Sequence, residues 1–476
     1  MSSYKIDKLF NYEKGLLQST KCTPGEFNFI TASADWKTHS TYTHDCEALV
    51  FAAAASGSLG RTHYINGKFI ASDLCFVLTP KDPNNFPIDL GFYHIIFNLI
   101  REDIVRNTKA GTSKEAIGLS RFGNYELPYF DIYKQKEIKN KFIRLEQIND
   151  SILEENSSQQ KLISQLRQSF LREAMQGKLT SEWRDSILRS HPELVSGSSK
   201  SATLSDGTLY EPASELLKKI KAEKAKLIAE GKLKKQKPLP EIKPEEIPYE
   251  IPASWVWCRL GKVCINIMDG THNSPINSHT GKFKYITAKN IKDEGIDLSD
   301  ITYISKEAHT EIYAKCNPEK GDILFIKDGA TTGVVTINNL DEQFSLLSSV
   351  ALLKLPEIVL NKYLMYAIRS PFYYDATRKD MFGVAITRVN LIKINNSIVP
   401  IPPYSEQQRI VSKLEELMRL CDELEKNINQ TKAQTNLLLQ TVLKEALLSK
   451  DDERSDTKEI IQELALKHEK ALVKLV

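Results

Sequence analysis

Paired cysteines and a long apolar run are both missing from this 476-residue chain, and each absence closes off a class of protein. The seven cysteines, Cys22, Cys46, Cys75, Cys258, Cys264, Cys316 and Cys421, are odd in number and form no C-x-x-C pair. That argues against a disulfide framework and a structural zinc site. No apolar stretch approaches the roughly 20 residues that cross a bilayer. The start, MSSYKIDKLFNYEK, is too charged for a signal peptide. A cytoplasmic protein with no membrane contact is expected. Neither sign of charge dominates, with 64 Lys and Arg against 61 Asp and Glu and a net charge of +3. Any nucleic-acid site must therefore come from local placement of charge.

Catalytic signatures are missing as well. There is no G-x-x-x-x-G-K-[ST] for ATP, no glycine loop opening a helix for S-adenosylmethionine and no G-x-S-x-G elbow. IPPY at Ile401–Tyr404 has the outline of an adenine-methylation box, but Ile401 cannot hydrogen-bond through its side chain. Gly329 to Gly333 lies between two apolar runs and reads as a turn. His272 and His279 have a spacing found in metal ligands. They lack a matched cysteine or carboxylate, so we read them as polar loop residues and expect no metal. The expectation is a binding protein with no catalytic centre.

A long helical stretch is present twice. Residues 138–174 and 410–446 align without a gap at a constant offset, 410 minus 138 being 272. Steps of four and three pick out Ile138, Phe142, Leu145, Asn149, Ile152, Asn156, Gln159, Ile163, Leu166 and Phe170. In the second copy they pick out Ile410, Leu414, Leu417, Cys421, Leu424, Ile428, Thr431, Thr435, Leu438 and Val442. This is a heptad seam, apolar at its ends and polar in its middle, uninterrupted by Pro or Gly. A slipped register would bury amides against leucines, so the pattern specifies one antiparallel pairing. A solvated or partner-binding helix pair is the plainer alternative.

The rest of the chain repeats with the rods. Residues 1–132 read as a mixed domain with apolar runs at 48–55 and 69–78 around a glycine loop, then a helix near 90–105. Residues 249–403 repeat that plan, with Gly57 and Gly329 at the same offset of 272. The expected fold class is α+β, with two similar globular domains joined by two long antiparallel coiled-coil helices in a pseudo-twofold repeat. Boundaries fall at 1–132, 133–190 (first helical spacer), 191–248 (linker with a Lys-rich helix), 249–403, 404–450 (second spacer) and 451–476 (amphipathic C-terminal helix). The Ser/Gly stretch at 196–207 is taken as a mobile linker and the lysines between Lys218 and Lys237 as a solvated face.

The loops of both domains mix cations with small hydroxyl and amide donors. In the first these are Lys37, His39, Ser56, Ser58, Arg61, Lys109 and Lys114. In the second they are His272, Asn273, Lys289, Asn290, Lys327, Thr331, Thr332, Arg378 and Arg388. Arg and Lys reach phosphates and guanine edges, Asn and Gln pair with adenine, and Ser, Thr and Gly allow close approach. Singly, each is ordinary loop polarity. Recurrence in both copies favours DNA.

Three strings carry a resemblance: PYEIPASWVWCRLG at 248–261, LRQSFLREAMQGKLTSEWR at 166–184 and IPPYSEQQRIVSKLEEL at 401–417. In combination the chain resembles the specificity (S) subunit of type I restriction-modification systems over nearly its whole length. The first domain departs from the pattern, since it lacks W-x-W and ends in ELPYFDIYKQKEI. The resemblance implies two target recognition domains, each reading half of a split site on double-stranded DNA, with the helices as a ruler. It implies two modification (methyltransferase) subunits docked along the helices, and restriction (motor-nuclease) subunits beyond them. S-adenosylmethionine, ATP and Mg would belong to those partners, with no cofactor on this chain. Rod faces at Arg167, Phe170, Leu171, Leu439, Val442 and Leu443 are candidate docking positions; packing against the partner rod is the alternative. Two other functions stay open, a stand-alone adenine-DNA methyltransferase and a coiled-coil scaffold without a DNA role.

Overall fold

The computed structural model describes residues 2–55, 57–110, 116–194, 201–204, 207–379 and 388–448, without the side chains of 110, 193, 436, 438–440 and 442–448. Ser56, Lys114 and the expected helix at 451–476 lie outside the described residues.

The first domain is built on a six-stranded sheet. Its order is Phe10–Lys14, Cys75–Pro80, His44–Ala52, Thr62–Ala71, Phe27–Ile30, Lys37–His39. All neighbours are antiparallel except Phe27–Ile30 beside Thr62–Ala71. His44–Ala52 is the central strand, and its alternate residues feed two cores. Leu49 and Phe51 join one with Phe10, Phe92, Phe97 and Phe122; Ala48, Val50 and Ala52 join the other with Ile30, Phe69 and Val77. Helix Leu90–Leu99 closes the aromatic core, started by the Asp89 carboxylate accepting from the Phe92 amide. Strand Ser2–Lys5 pairs with Glu126–Tyr129, which leads into the first long helix, Ile132–Met175.

The second domain keeps this plan with one break. Asn266–Asp269, Val350–Lys354, Ile323–Ile326 and Val335–Ile337 form one four-stranded sheet; Asn277–Ser278, Thr302–Ile304, Phe283–Ile286 and Phe344–Leu346 form another. Where the first domain has a single strand, Thr62–Ala71, the second has two, Val335–Ile337 and Phe344–Leu346. The lone parallel pairing is preserved, now between Phe283–Ile286 and Phe344–Leu346. Val256–Arg259 pairs with Ile398–Ile401 as Ser2–Lys5 does with Glu126–Tyr129. The closing strands are 272 apart (398 minus 126), but the opening ones only 254 (256 minus 2). Most of the difference is taken up by the hairpin Ile291–Lys292/Gly295–Ile296 and helix Lys306–Lys315.

The long helices, Ile132–Met175 and Tyr404–Leu448, also begin 272 apart. Two compact units divide the described chain, one holding residues 2–157 and 429–448, the other 158–428. Within the latter, Ile163 packs with Cys421 and Ile428, Arg167 bonds Asp422 and Glu425, and Leu171 shares a core with Leu414. Partner numbers fall as residue numbers rise, so these segments run antiparallel. Within the former, the seam positions Asn156 and Thr435 are both buried.

Three expectations need correction. The apolar run at 69–78 is no single strand: it is the end of Thr62–Ala71, a turn, and the start of Cys75–Pro80. Leu166, assigned to the seam, is 40% exposed, although Ile163 before it and Phe170 after it pack in one cluster with Cys421 and Ile428. Finally, 191–248 is more than a linker. Residues Ala202–Thr203 and Leu209–Tyr210 pair as strands, and helix Ala213–Ala229 buries Ala213, Leu216 and Ile220 in the second domain's core. Lys218, Lys219, Lys221 and Lys226 are exposed, but three apolar side chains one helical turn apart, with the Lys224 ammonium donating to the Gly261 carbonyl at 2.7 Å, suffice to dock it.

Candidate nucleic-acid interface

In the second domain, four charged side chains from three separate segments close into one network. Lys327 ends strand Ile323–Ile326 and is only 4% exposed. Its ammonium lies 3.3 Å from Asp269 Oδ2 and 3.2 Å from Asp328 Oδ2. The other Asp328 oxygen accepts from Arg388 Nε at 2.8 Å, while His272 Nε2 stands 3.5 Å from Asp269 Oδ1. A backbone bridge between Asp328 and Arg388, with the Val389 amide donating to the Lys327 carbonyl at 2.7 Å, holds the segments together. Charges inside the network balance, as burial of a lysine requires. Arg388, by contrast, keeps its side chain 68% exposed, and the adjacent carboxylate holds its guanidinium above its ordinary pKa.

Beside this network, Arg378 donates to the Thr332 carbonyl at 2.7 Å and lies over the Tyr374 ring. Thr331 is exposed at the same turn, where Gly329 and Gly333 take φ values of +104° and +102° that favour glycine. Asn273 is exposed at the loop after Asp269, and Lys289 pairs with Asp300 at 2.8 Å at the surface.

Three of the expected contacts in this domain are structural. Lys327 is committed to its two carboxylates. Asn290 is 2% exposed, its amide spent on the Thr287 amide and the Asp297 carbonyl. Thr332 is fully buried, its hydroxyl donating to the Gly329 carbonyl at 2.6 Å. In these conformations none reaches a ligand, because each polar group is already satisfied away from solvent.

The first domain gathers a smaller set. Arg61 Nη1 lies 3.4 Å from both the Ala32 carbonyl and Ser58 Oγ, linking the loop after Phe27–Ile30 to the glycine loop. Lys37 is exposed on the edge strand. His39 is corrected to a structural residue: it is 7% exposed and its Nδ1 accepts from the Thr23 amide. Lys109 pairs with Ile117 in a short hairpin, its carbonyl accepting from Arg121. Sequence reasoning passed over Trp36, 39% exposed and donating to His63 Nδ1 at 3.2 Å. Its signal was a lone aromatic among hydroxyl residues, SADWKTHSTYTH. It also passed over Asp328, whose signal was the Lys-Asp pair in IKDG, and Asp269 in IMDG.

On the rods, Arg167, Phe170 and Leu171 are taken by the alternative reading. Arg167 reaches the partner rod's Asp422 and Glu425 at 2.7 and 3.1 Å, Phe170 packs into the seam and Leu171 is 5% exposed. The side chains of Leu439, Val442 and Leu443 lie outside those described. Exposed leucines on the rods are instead Leu162, Leu166, Leu420 and Leu437 among the described side chains, at 59, 40, 44 and 65%.

The three strings behind the resemblance meet at one carboxylate. Glu406, fully buried at the start of the second rod, accepts from Thr180 Oγ1 at 2.7 Å, Arg184 Nη1 at 2.6 Å and Trp255 Nε1 at 2.8 Å. Thr180 and Arg184 follow the first rod, after the reversal at Gly177 with φ +70°. Trp255 comes from the W-x-W string. Burial raises the Glu406 pKa against the lowering pull of Arg184 and the two hydrogen-bond donors. The motifs are thus parts of one joint that fixes how chain enters and leaves the rods.

Among curated proteins, the chain is 34% identical over 245 residues to the Type I restriction enzyme EcoAI specificity subunit of Escherichia coli, covering 50% of this chain and 41% of that one. It is 26% identical over 336 residues to the EcoEI specificity subunit of the same organism, covering 67% and 50%. The matches span half or less of these relatives' length. A solved structure described as "Structural basis underlying complex assembly and conformational transition of the type I R-M system" shares the fold at a TM-score of 0.55 and 16% identity, covering 94% of this chain and 97% of that one. The family described as type I restriction modification DNA specificity domain matches residues 1–160 and 252–431, which take in both globular domains and most of both rods. With well over half its residues matched, the chain belongs to the type I restriction modification DNA specificity domain family.

Proposed function

We propose that this protein is the DNA sequence-recognition subunit of a type I restriction-modification complex, with no catalytic centre of its own. Each domain reads one half of a bipartite site on double-stranded DNA, and the paired rods set the gap. The observation that carries the reading is the repeat itself. Two domains share one strand plan but differ in their loop side chains, as expected of two readers of different half-sequences. The same backbone bond joins Ile117 to Ala53 in the first domain and Val389 to Lys327 in the second, and next to it one copy carries Ala116 where the other carries the exposed Arg388.

Methyl transfer and cleavage belong to partners in this reading: two modification subunits carrying S-adenosylmethionine, and restriction subunits using ATP and Mg. Docking on the rods fits Leu162, Leu166 and Leu420 better than the buried positions, since only exposed apolar side chains gain by covering. Exchange of residues 1–132 for another recognition domain, followed by methylome sequencing, tests the function. One half-sequence should change and the other persist; a change in both would end the modular account, and loss of neither would end the DNA role.

A further inference from the structure

The network around Lys327 has the shape of a buttress for one outward guanidinium. We propose that Arg388 reads a guanine in the half-site of the second domain, with Asp328, Lys327 and Asp269 as its positioning residues; this rests on the DNA-recognition reading above.

Two carboxylates at a surface meant for phosphates would repel DNA unless neutralised. Lys327, 5% exposed at its side chain, pairs with both, balances their charge together with Arg388, and fixes Asp328 between itself and Arg388. Asp328 then holds Arg388 through Nε alone, at 2.8 Å. That bond restricts the plane of the guanidinium and leaves the terminal amino groups without a hydrogen bond to the carboxylate, on a side chain 68% exposed. Two parallel donors in a fixed plane match guanine O6 and N7, the one base edge with two adjacent acceptors in the major groove. A phosphate can take the same fork, but it carries no base identity, so a constrained base at one position distinguishes the two contacts. The matching frame position in the first domain is Ala116 (388 minus 272), so that half-site lacks this contact.

The test uses the full-length chain and a pool of randomised duplexes from which it selects. The wild type should enrich a bipartite pattern with a constrained guanine in one half. Arg388→Ala should relax that single position, leave the other half-site unchanged and weaken binding of the wild-type site by about five- to a hundredfold. Asp328→Asn should relax the same position to a smaller degree with Arg388 intact, which a merely structural role would not produce. Arg388→Lys should resemble the alanine variant, because a point charge cannot replace a fork. Even weakening across all sequences, with the pattern kept and the salt slope reduced by about one, would make Arg388 a phosphate contact and overturn the proposal while sparing the recognition reading. Failure of the wild type to enrich any pattern would overturn both.

Discussion

At the scale of single residues, the molecule depends on a few buried charges whose partners come from distant parts of the chain. Glu406 is the extreme case, with no exposed surface and three donors. Glu406→Ala would strand the Arg184 guanidinium and the Trp255 indole, and should cost about 3–5 kcal/mol by urea denaturation. The sign of its pH dependence follows from its raised pKa. A carboxyl that holds its proton more tightly when folded contributes stability below its unfolded pKa and loses it as pH rises through the folded one. Relative to Glu406→Gln, the wild type should therefore gain stability as pH falls from neutral toward the ordinary glutamate range. Glu246 has the opposite sense. Hydrogen bonds from Arg259 hold it down to about 2, so its contribution is present above the ordinary range and fades as pH falls toward that value. Thermal melts of Glu246→Gln across the acidic range should converge on the wild type at the bottom. None of these pairings could be read beforehand: the sequence showed Lys327, Arg388 and Glu406 as charges, but the partner that decides between surface contact and strut lies up to 226 residues away.

At the scale of elements, periodicity made the rods legible and composition hid the docked helix. A seam repeating every three and four residues over both copies is a strong signal, and both helices begin at the expected offset. Helix Ala213–Ala229 is so rich in lysine that its three anchoring residues did not stand out. Leu216→Ala should cost about 2–5 kcal/mol, measured by denaturant unfolding, whereas a free linker would lose nothing. The polar seam positions make a separate forecast. Asn156 is 3% exposed and its Nδ2 finds no partner among the described residues. Asn156→Leu should raise the melting temperature, because it removes an unpaired buried amide, and should weaken the choice of register. The split of one strand into Val335–Ile337 and Phe344–Leu346 had no such signal, since short apolar runs read alike whether continuous or broken.

At the scale of the whole molecule, duplication explains most of what was readable. Fold class, the two domains and the paired helices all follow from one offset that survives from the closing strands into the rods. The candidate site was less legible, because the loop side chains differ between the two domains and a lone chain carries no rule for which loop side chain points outward. The central claim is that the rods measure distance on DNA while the domains read it. Four residues added at facing positions of both rods lengthen each helix by about 6 Å, close to two base pairs. Long-read methylation mapping of cells carrying the lengthened protein decides the matter. The account predicts the same two half-sequences separated by a gap about one to two base pairs longer; altered half-sequences at the original gap would contradict it.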